Sequence, residues 1–330
     1  MFAMALSAPG RPLEPLRGPT LAPGPTEVRL KVLACGVCRT DLHVVDGELK
    51  PQRSPITPGH EVVGVVEALG EAVEGLRLGD RVGAAWLART CGVCRYCRSG
   101  EENLCDAPEF NGWTRDGGYA DEMVADSRYC YPIPDRYSHE EAAPLLCAGL
   151  IGFRSWRKAC EARPVERLGL YGFGAAAHLL AQLAIANGQA VYAFTRGGDA
   201  AAQGLATALG CVWAGGSEER PPEPLDAAIL FAPVGGLVPL ALAAVRKGGT
   251  VVCGGIHMSD IPSFPYDLLW EERRLVSVAN LTRQDGRDYL PMAAAAGVKP
   301  HIVCYPLAEA NRALADLRSG AFTGAAVLKP

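Results

Sequence analysis

The stretch LGLYGFGAAAHLLAQLAIANG (Leu168–Gly188) decides how the chain is read. Its first residues form a short apolar run entering a glycine turn, the pattern of a buried strand. The Ala- and Leu-rich run behind them predicts a helix that stops at Asn187-Gly188. Between the two stands Gly172-x-Gly174-x-x-Ala177. Alone, G-x-G-x-x-A says little; set between an apolar strand and an Ala-rich helix, it is a dinucleotide-binding fingerprint. Gly172 permits the tight turn, and Gly174 lets the backbone approach a pyrophosphate at the helix N-terminus. Ala177 takes the third glycine position, which serves helix–strand packing.

The same alternation continues outward. AVYAFT (Ala190–Thr195) reads as a strand and AAQGLATALG (Ala201–Gly210) as a helix. LDAAILFA (Leu225–Ala232), LALAAVRKGG (Leu240–Gly249), TVVCGG (Thr250–Gly255) and RRLVSVANL (Arg273–Leu281) keep the rhythm. Short apolar strands alternating with helices predict a parallel sheet with helices on both faces. Upstream, SHEEAAPLLCAGLIGFRSWRKA (Ser138–Ala159) has helical spacing, with acidic residues in its first turn and Arg157 and Lys158 near its end. The first part of the chain differs: EVRLKVLACGV (Glu27–Val37), EVVGVVEALG (Glu61–Gly70) and DRVGAAWL (Asp80–Leu87) read as short strands joined by Gly- and Pro-rich turns. Weakly patterned sequence returns after Gln284 and ends in a strand-like GAAVLKP (Gly324–Pro330) that is expected to rejoin the first domain. The expected division is a β-rich domain over 1–145 and 285–330, and a dinucleotide-binding domain over 146–284.

With 330 residues, 49% hydrophobic and 21% charged, the chain is a globular protein large enough for two domains. The net charge of −4 and the lack of a basic block exclude nucleic acid and anionic membrane as main partners. No apolar run reaches the roughly 20 residues of a membrane span, and the N-terminus lacks a basic start followed by an apolar core. A cytoplasmic location is the expectation.

Of the 12 cysteines, four crowd into CGVCRYCRSGEENLC (Cys91–Cys105), at positions 91, 94, 97 and 105. The spacing C-x2-C-x2-C-x7-C suits a structural zinc closed by four thiolates; a compact ferredoxin run spaces its cysteines differently. Cys160, Cys211, Cys253 and Cys304 are scattered among apolar residues and read as small buried hydrophobes. The tetrapeptide C-G-V-C occurs a second time, at Cys35–Cys38, where no cysteine follows nearby. GVCRTDLH (Gly36–His43), TPGHEVVG (Thr57–Gly64) and APLLCAGL (Ala143–Leu150) offer further candidate ligands, Cys38, His60, Glu61 and Cys147. Spacing alone does not join them.

These three stretches, with the four-cysteine lobe and the glycine turn, resemble the zinc-dependent alcohol dehydrogenases of the medium-chain dehydrogenase/reductase superfamily. Pro58-Gly59-His60-Glu61, followed by alternating Val and Gly, is the most specific segment, and the likeness covers nearly the whole chain. It implies a GroES-like β-rich catalytic domain joined to a Rossmann domain. It also implies a catalytic zinc on Cys38, His60 and Cys147 with a fourth position open, beside the structural zinc. Glu61 then sits next to the metal, and Asp41 orients the His60 ring. Thr40 and His43 match a proton relay, for which an imidazole is suited because it titrates near neutrality. Arg39 matches a position that contacts the cofactor pyrophosphate. Trp86 matches a pocket-lining position that narrows the cavity toward small or unbranched alcohols.

The implied activity is reversible hydride transfer between a primary or small secondary alcohol and NAD(P), in a homodimer or homotetramer. Thr195, followed by Arg196, stands where an acidic residue would hold the ribose of NAD, which favours NADP; Asp199 is the nearest carboxylate. The stretch Ser319–Ala326 lacks an arginine that many relatives carry on phosphate. The alternatives are an enzyme working mainly as an NADPH-dependent aldehyde reductase, and a non-catalytic member of the superfamily. The presence of all the expected zinc ligands speaks against the second, and against a zinc-free quinone reductase.

Overall fold

The computed structural model describes all of residues 1–330 and divides into two compact units. The first holds Met1–Cys147, Asn280–Ala294 and Pro300–Pro330; the second holds Ala148–Ala279 and Ala295–Lys299.

The first unit is built on a seven-stranded sheet. Its order is Ile302–Pro306, Ala325–Lys329, Glu27–Val37, Glu61–Leu69, Arg81–Ala84 and Cys130–Pro132, with Glu122–Asp126 added alongside Glu27–Val37. The first two strands run parallel and the remaining pairs antiparallel. Glu27–Val37 is the spine, and its first half alternates fully buried positions with partly or wholly exposed ones, as a strand with one wetter face should. Val28, Leu30 and Val32 enter a core shared with Val62, Val66, Val82 and Met123. Burying each such side chain is worth about 1.5–3 kcal/mol. The register against Glu61–Leu69 pairs Gly36 with Glu61 and Cys35 with Val62. That register places His60 and Glu61 beside the end of the spine strand, where Cys38 begins the Arg39–Asp46 helix.

The second unit holds a six-stranded, wholly parallel sheet in the order Trp213–Gly216, Ala190–Thr195, Arg167–Tyr171, Leu225–Leu230, Val245–Cys253 and Arg274–Ser277. Residues Leu168–Tyr171 and Val191–Thr195 are buried without interruption, so both faces of these strands are covered. The order reverses direction beside Arg167–Tyr171, and the glycine turn leaves that strand at its C-terminal end. Ligands of open α/β sheets bind at this kind of crevice.

Three sequence expectations change in detail. The helix expected over Ser138–Ala159 is broken: one turn, His139–Ala142, passes into a 3-10 segment, Ala143–Leu146, and the long helix is Ala148–Cys160. Cys147, at φ −132° and ψ −68°, is the break. The helix expected over Leu240–Gly249 ends at Ala244, and Val245–Cys253 is strand. The stretch after Gln284 contains helices Arg283–Ala295 and Ala310–Ser319. The first carries Pro291 inside it, a residue that argues against a helix when only sequence is read. No helix is long and apolar enough to cross a membrane.

Candidate functional site

Four donor atoms, from Cys38, His60, Glu61 and Cys147, lie within 4.8 Å of one another. Cys38 Sγ is 3.8 Å from Cys147 Sγ, and His60 Nε2 is 3.3 Å from Cys147 Sγ. A tetrahedral zinc with bonds of about 2.3 Å to sulfur and 2.0–2.1 Å to nitrogen has ligand–ligand edges of about 3.6–3.8 Å. The spacing fits that ion. Cys147 reaches the cluster because the helix is broken at that residue, and Glu61 reaches it because Gly36 has no side chain. A Cβ at Gly36 would overlap the Glu61 carboxylate.

Behind the donors lies a buried hydrogen-bond network centred on Asp41, which is 1% exposed. Its Oδ2 accepts from the Cys38 backbone N–H at 2.8 Å. Its Oδ1 accepts from the Gly59 N–H at 3.2 Å and faces His60 Nδ1 at 3.1 Å. A carboxylate only accepts, so Nδ1 carries a proton, and Nε2 is the nitrogen that faces the donor cluster and would bind a metal. Gly59 is held at φ +99°, and a Cβ there would overlap the Tyr119 ring and come within 2.8 Å of Cys35 Sγ. The two positions after the Pro58-Gly59 turn are thereby aimed inward.

The charge balance also fits a cation. The Cys147 S–H hydrogen bond holds the Cys38 thiol well below its usual range against burial, and His60 adds to this. The hydrogen bond to Cys38 and burial push Cys147 well up. Burial and the Cys38 charge raise the Glu61 carboxyl well above the ordinary carboxylate range. Burial lowers the His60 ring, but the charge and hydrogen bond of Asp41 outweigh it and raise it well above its ordinary value. A cluster that keeps thiol and carboxyl protons because like charges are buried together sheds them against a dication.

The four-cysteine lobe forms a second cluster, with Cys91, Cys94, Cys97 and Cys105 brought together. Cys97 Sγ is 3.9 Å from Cys91 Sγ and 3.5 Å from Cys94 Sγ, again close to tetrahedral edges. Backbone N–H groups of Cys91 and Ala107 point at Cys105 Sγ, and that of Cys94 at Cys91 Sγ. The N–H groups of Cys97 and Asp106 lower the Cys94 thiol to about 6, while burial pushes Cys105 up to about 12. All four donors converge, and the set has no open position. Cys35, in the other C-G-V-C, is buried in the spine strand. Cys211 is buried, and Cys160 and Cys253 are partly so. Cys304 is a correction: it is exposed, because on the sheet-edge strand Ile302–Pro306 it faces outward while Tyr305 faces the core.

Thr40 is buried, with Oγ1 3.8 Å from Cys38 Sγ. Three residues on, His43 lies on the same face of the Arg39–Asp46 helix. Arg39, the first residue of that helix, is exposed. Trp86 is buried edge-on against His60, with ring centres 5.0 Å apart. It stacks on Phe110 at 5.1 Å and Trp113 at 5.9 Å, which were not anticipated. Phe110 ends the two-residue strand Glu109–Phe110 and Trp113 lies in the turn after it, too short a stretch to show periodicity, so their only signal was their aromaticity.

In the second unit Gly172 is at φ +88°, and a Cβ there would meet the Ala232 backbone nitrogen at 2.7 Å. Gly174 caps the Ala175–Ala186 helix with open space around it, and Ala177 is fully buried. Thr195 Oγ1 donates to the Arg196 carbonyl and accepts from Gln203 Nε2, so its hydroxyl is turned into the fold. Asp199 caps the Ala200–Ala208 helix by accepting from the Ala202 N–H at 3.0 Å. Arg196 is exposed.

Comparison with known proteins agrees with this architecture. The alcohol dehydrogenase GroES-like domain family matches residues 24–135. The chain is 49% identical over 323 residues to a probable alcohol dehydrogenase, AdhA, of Mycobacterium tuberculosis, covering 96% of this chain and 92% of that one. It is 36% identical over 317 residues to an alcohol dehydrogenase of Geobacillus stearothermophilus, covering 92% of each. Among solved structures, a cobalt- and zinc-bound thermostable alcohol dehydrogenase from Pyrobaculum aerophilum superposes with a TM-score of 0.90 at 26% identity, over 100% of this chain and 99% of that one. Taken with the fold, these likenesses make the chain an oxidoreductase, and it belongs to the zinc-dependent alcohol dehydrogenases of the medium-chain dehydrogenase/reductase superfamily.

Proposed function

We propose that the chain transfers a hydride reversibly between a primary or small secondary alcohol and NAD(P), with NADP preferred, giving an aldehyde or ketone. The observation that carries this reading is the convergence of Cys38, His60 and Cys147, with Asp41 fixing the His60 ring. Those residues would hold the catalytic zinc, and Cys91, Cys94, Cys97 and Cys105 a structural one. When bound at the first site, zinc polarises the alcohol oxygen as a Lewis acid. The rest falls to the chain's own groups. Asp41 holds the proton on His60 Nδ1, so that Nε2 is the nitrogen turned to the metal position, and buried Thr40 presents a hydroxyl beside Cys38 that accepts and passes a proton. His43, on the same helix face, takes that proton outward. Trp86, against His60, bounds the space for the alcohol carbon. Gly172, Gly174 and Ala177 seat the cofactor pyrophosphate at a helix N-terminus. The NADP preference is supported by Asp199 being committed to a helix cap, by the inward Thr195 hydroxyl, and by the free-standing guanidinium of Arg196, suited to a 2′-phosphate. A homodimer or homotetramer is carried over from the resemblance.

The test is a coupled assay of NAD and NADP across ethanol, benzyl alcohol and their aldehydes, with metal analysis of the same sample. About two zincs per chain are expected, with turnover abolished by Cys38→Ser. Arg196→Ala should raise the KM for NADP and leave that for NAD nearly unchanged. One zinc or none, or turnover surviving in Cys38→Ser, would overturn the catalytic reading.

A further inference from the structure

The Arg39–Asp46 helix ends in Gly47, at φ +79° and ψ +12°, whose N–H bonds to the Val44 carbonyl. A Cβ at Gly47 would come 2.7 Å from Pro9 Cβ, so the left-handed turn suits glycine on two counts. The chain then folds back, with the Leu49 N–H donating to the His43 carbonyl at 3.1 Å. This return sets the Glu48 carboxylate directly on His43 Nδ1. His43 is mostly covered, with 12% of its side chain exposed, while Glu48 is 54% exposed. The pair therefore joins a shielded imidazole to the solvent.

We propose that Glu48 is a positioning residue for the outward proton transfer, acting through His43. The proposal rests on the relay reading of Thr40 and His43 given above. Glu48 can only accept at Nδ1, so it fixes the neutral ring with its proton on Nδ1 and its lone pair on Nε2. That tautomer takes up a proton at Nε2. The imidazolium so formed faces the Glu48 carboxylate, in the last turn of the Arg39–Asp46 helix. The proton taken at Nε2 is handed on to water or a buffer base, the Nδ1 proton stays on the Glu48 side, and no other bond is made or broken. Neighbouring charges are otherwise engaged. Asp46, at the end of the same helix, pairs with Arg318, and Arg312 pairs with Glu309 and Asp316, on or next to the Ala310–Ser319 helix packed alongside. Arg39 stands at the opposite end of the helix, and Lys50 follows two residues after Glu48.

The experiment compares wild type, Glu48→Gln, His43→Gln and the double variant, by single-turnover reduction of NAD(P) with benzyl alcohol at several buffer concentrations. Thermal unfolding runs in parallel, and an exposed change at position 48 should leave it unmoved. Glu48→Gln should slow turnover about fivefold at low buffer, the scale an exposed ion pair supports, with KM for the alcohol unchanged. Raising the buffer concentration should restore the rate, and Glu48→Gln should have no further effect in the His43→Gln background. A normal rate in Glu48→Gln beside a slowed His43→Gln overturns the role of Glu48 alone. An equal loss in both backgrounds also overturns it, since Glu48 would then not act through His43. A normal rate in His43→Gln overturns the relay, and this proposal with it.

Discussion

Replacing Asp41 with asparagine tests the site at its most connected point. The side chain keeps its shape but loses its charge and turns one acceptor into a donor. In the native arrangement Oδ2 accepts from the Cys38 N–H, and Oδ1 serves both the Gly59 N–H and His60 Nδ1. With the amide oxygen left on Gly59 and His60, the amide nitrogen faces the Cys38 N–H, donor against donor. With the amide flipped, two donors lose their acceptor. At least one buried N–H is thus stranded in either orientation, costing about 1–3 kcal/mol of folding stability. His60 also loses the charge that fixes its tautomer, which typically weakens metal affinity about 10- to 100-fold. The assay is zinc transfer to a chromophoric chelator, with the four-cysteine lobe as internal control because Asp41 lies outside it. One class of zinc should be released more readily and the other should not change. Unchanged zinc affinity in Asp41→Asn, with the expected loss of stability, would refute the orienting role and leave Asp41 a structural residue only.

Other expectations follow from the same geometry. Gly59→Ala forces a side chain onto φ +99° and into Tyr119, and should cost about 2 kcal/mol or more, read as a lowered denaturant midpoint; an unshifted midpoint contradicts the turn argument. Cys94→Ser should cut zinc content to about one per chain and lower the melting temperature before it affects turnover; full zinc content would show that the lobe does not bind it. Acid should destabilise the fold through Glu27 and Asp126. Burial raises both carboxyls, yet Arg115 for Glu27 and Arg128 for Asp126 outweigh it and hold them below their ordinary values. Depressed folded values mean that this stability is complete above the unfolded values of about 4 and is lost as pH falls below them. Arg128→Ala should shrink that loss in denaturant titrations between neutral and acid pH, and an unaltered acid limb would argue against it.

What could be read from the sequence depended on how local each signal was. The Gly172–Ala177 turn and the four-cysteine lobe announce themselves because all their chemistry lies within a few residues. Cys38, His60 and Cys147 do not. They meet through the pairing of Gly36 with Glu61 and through the break at Cys147, and only the family likeness pointed to them. Gly36 is legible only once the Glu61 side chain is placed, and Phe110 and Trp113 only once Trp86 is. The Arg283–Ala295 helix was hidden by Pro291, whose cost its tertiary packing absorbs: Tyr289, Leu290 and Ala293 are buried.

The two cysteine clusters also differ in when they can exist. Cys91 and Cys105 are 14 residues apart, whereas Cys38 and Cys147 are 109 residues apart. Closing the longer loop in an unfolded chain costs about 2 kcal/mol more in entropy. The lobe can therefore gather its four sulfurs as soon as residue 105 has been synthesised. The dispersed donors must wait for the spine strand to pair and for Cys147 to arrive. A chain emerging into scarce zinc would fill the lobe first, and the cluster of Cys38, His60 and Cys147 would be the last part of the molecule to become competent.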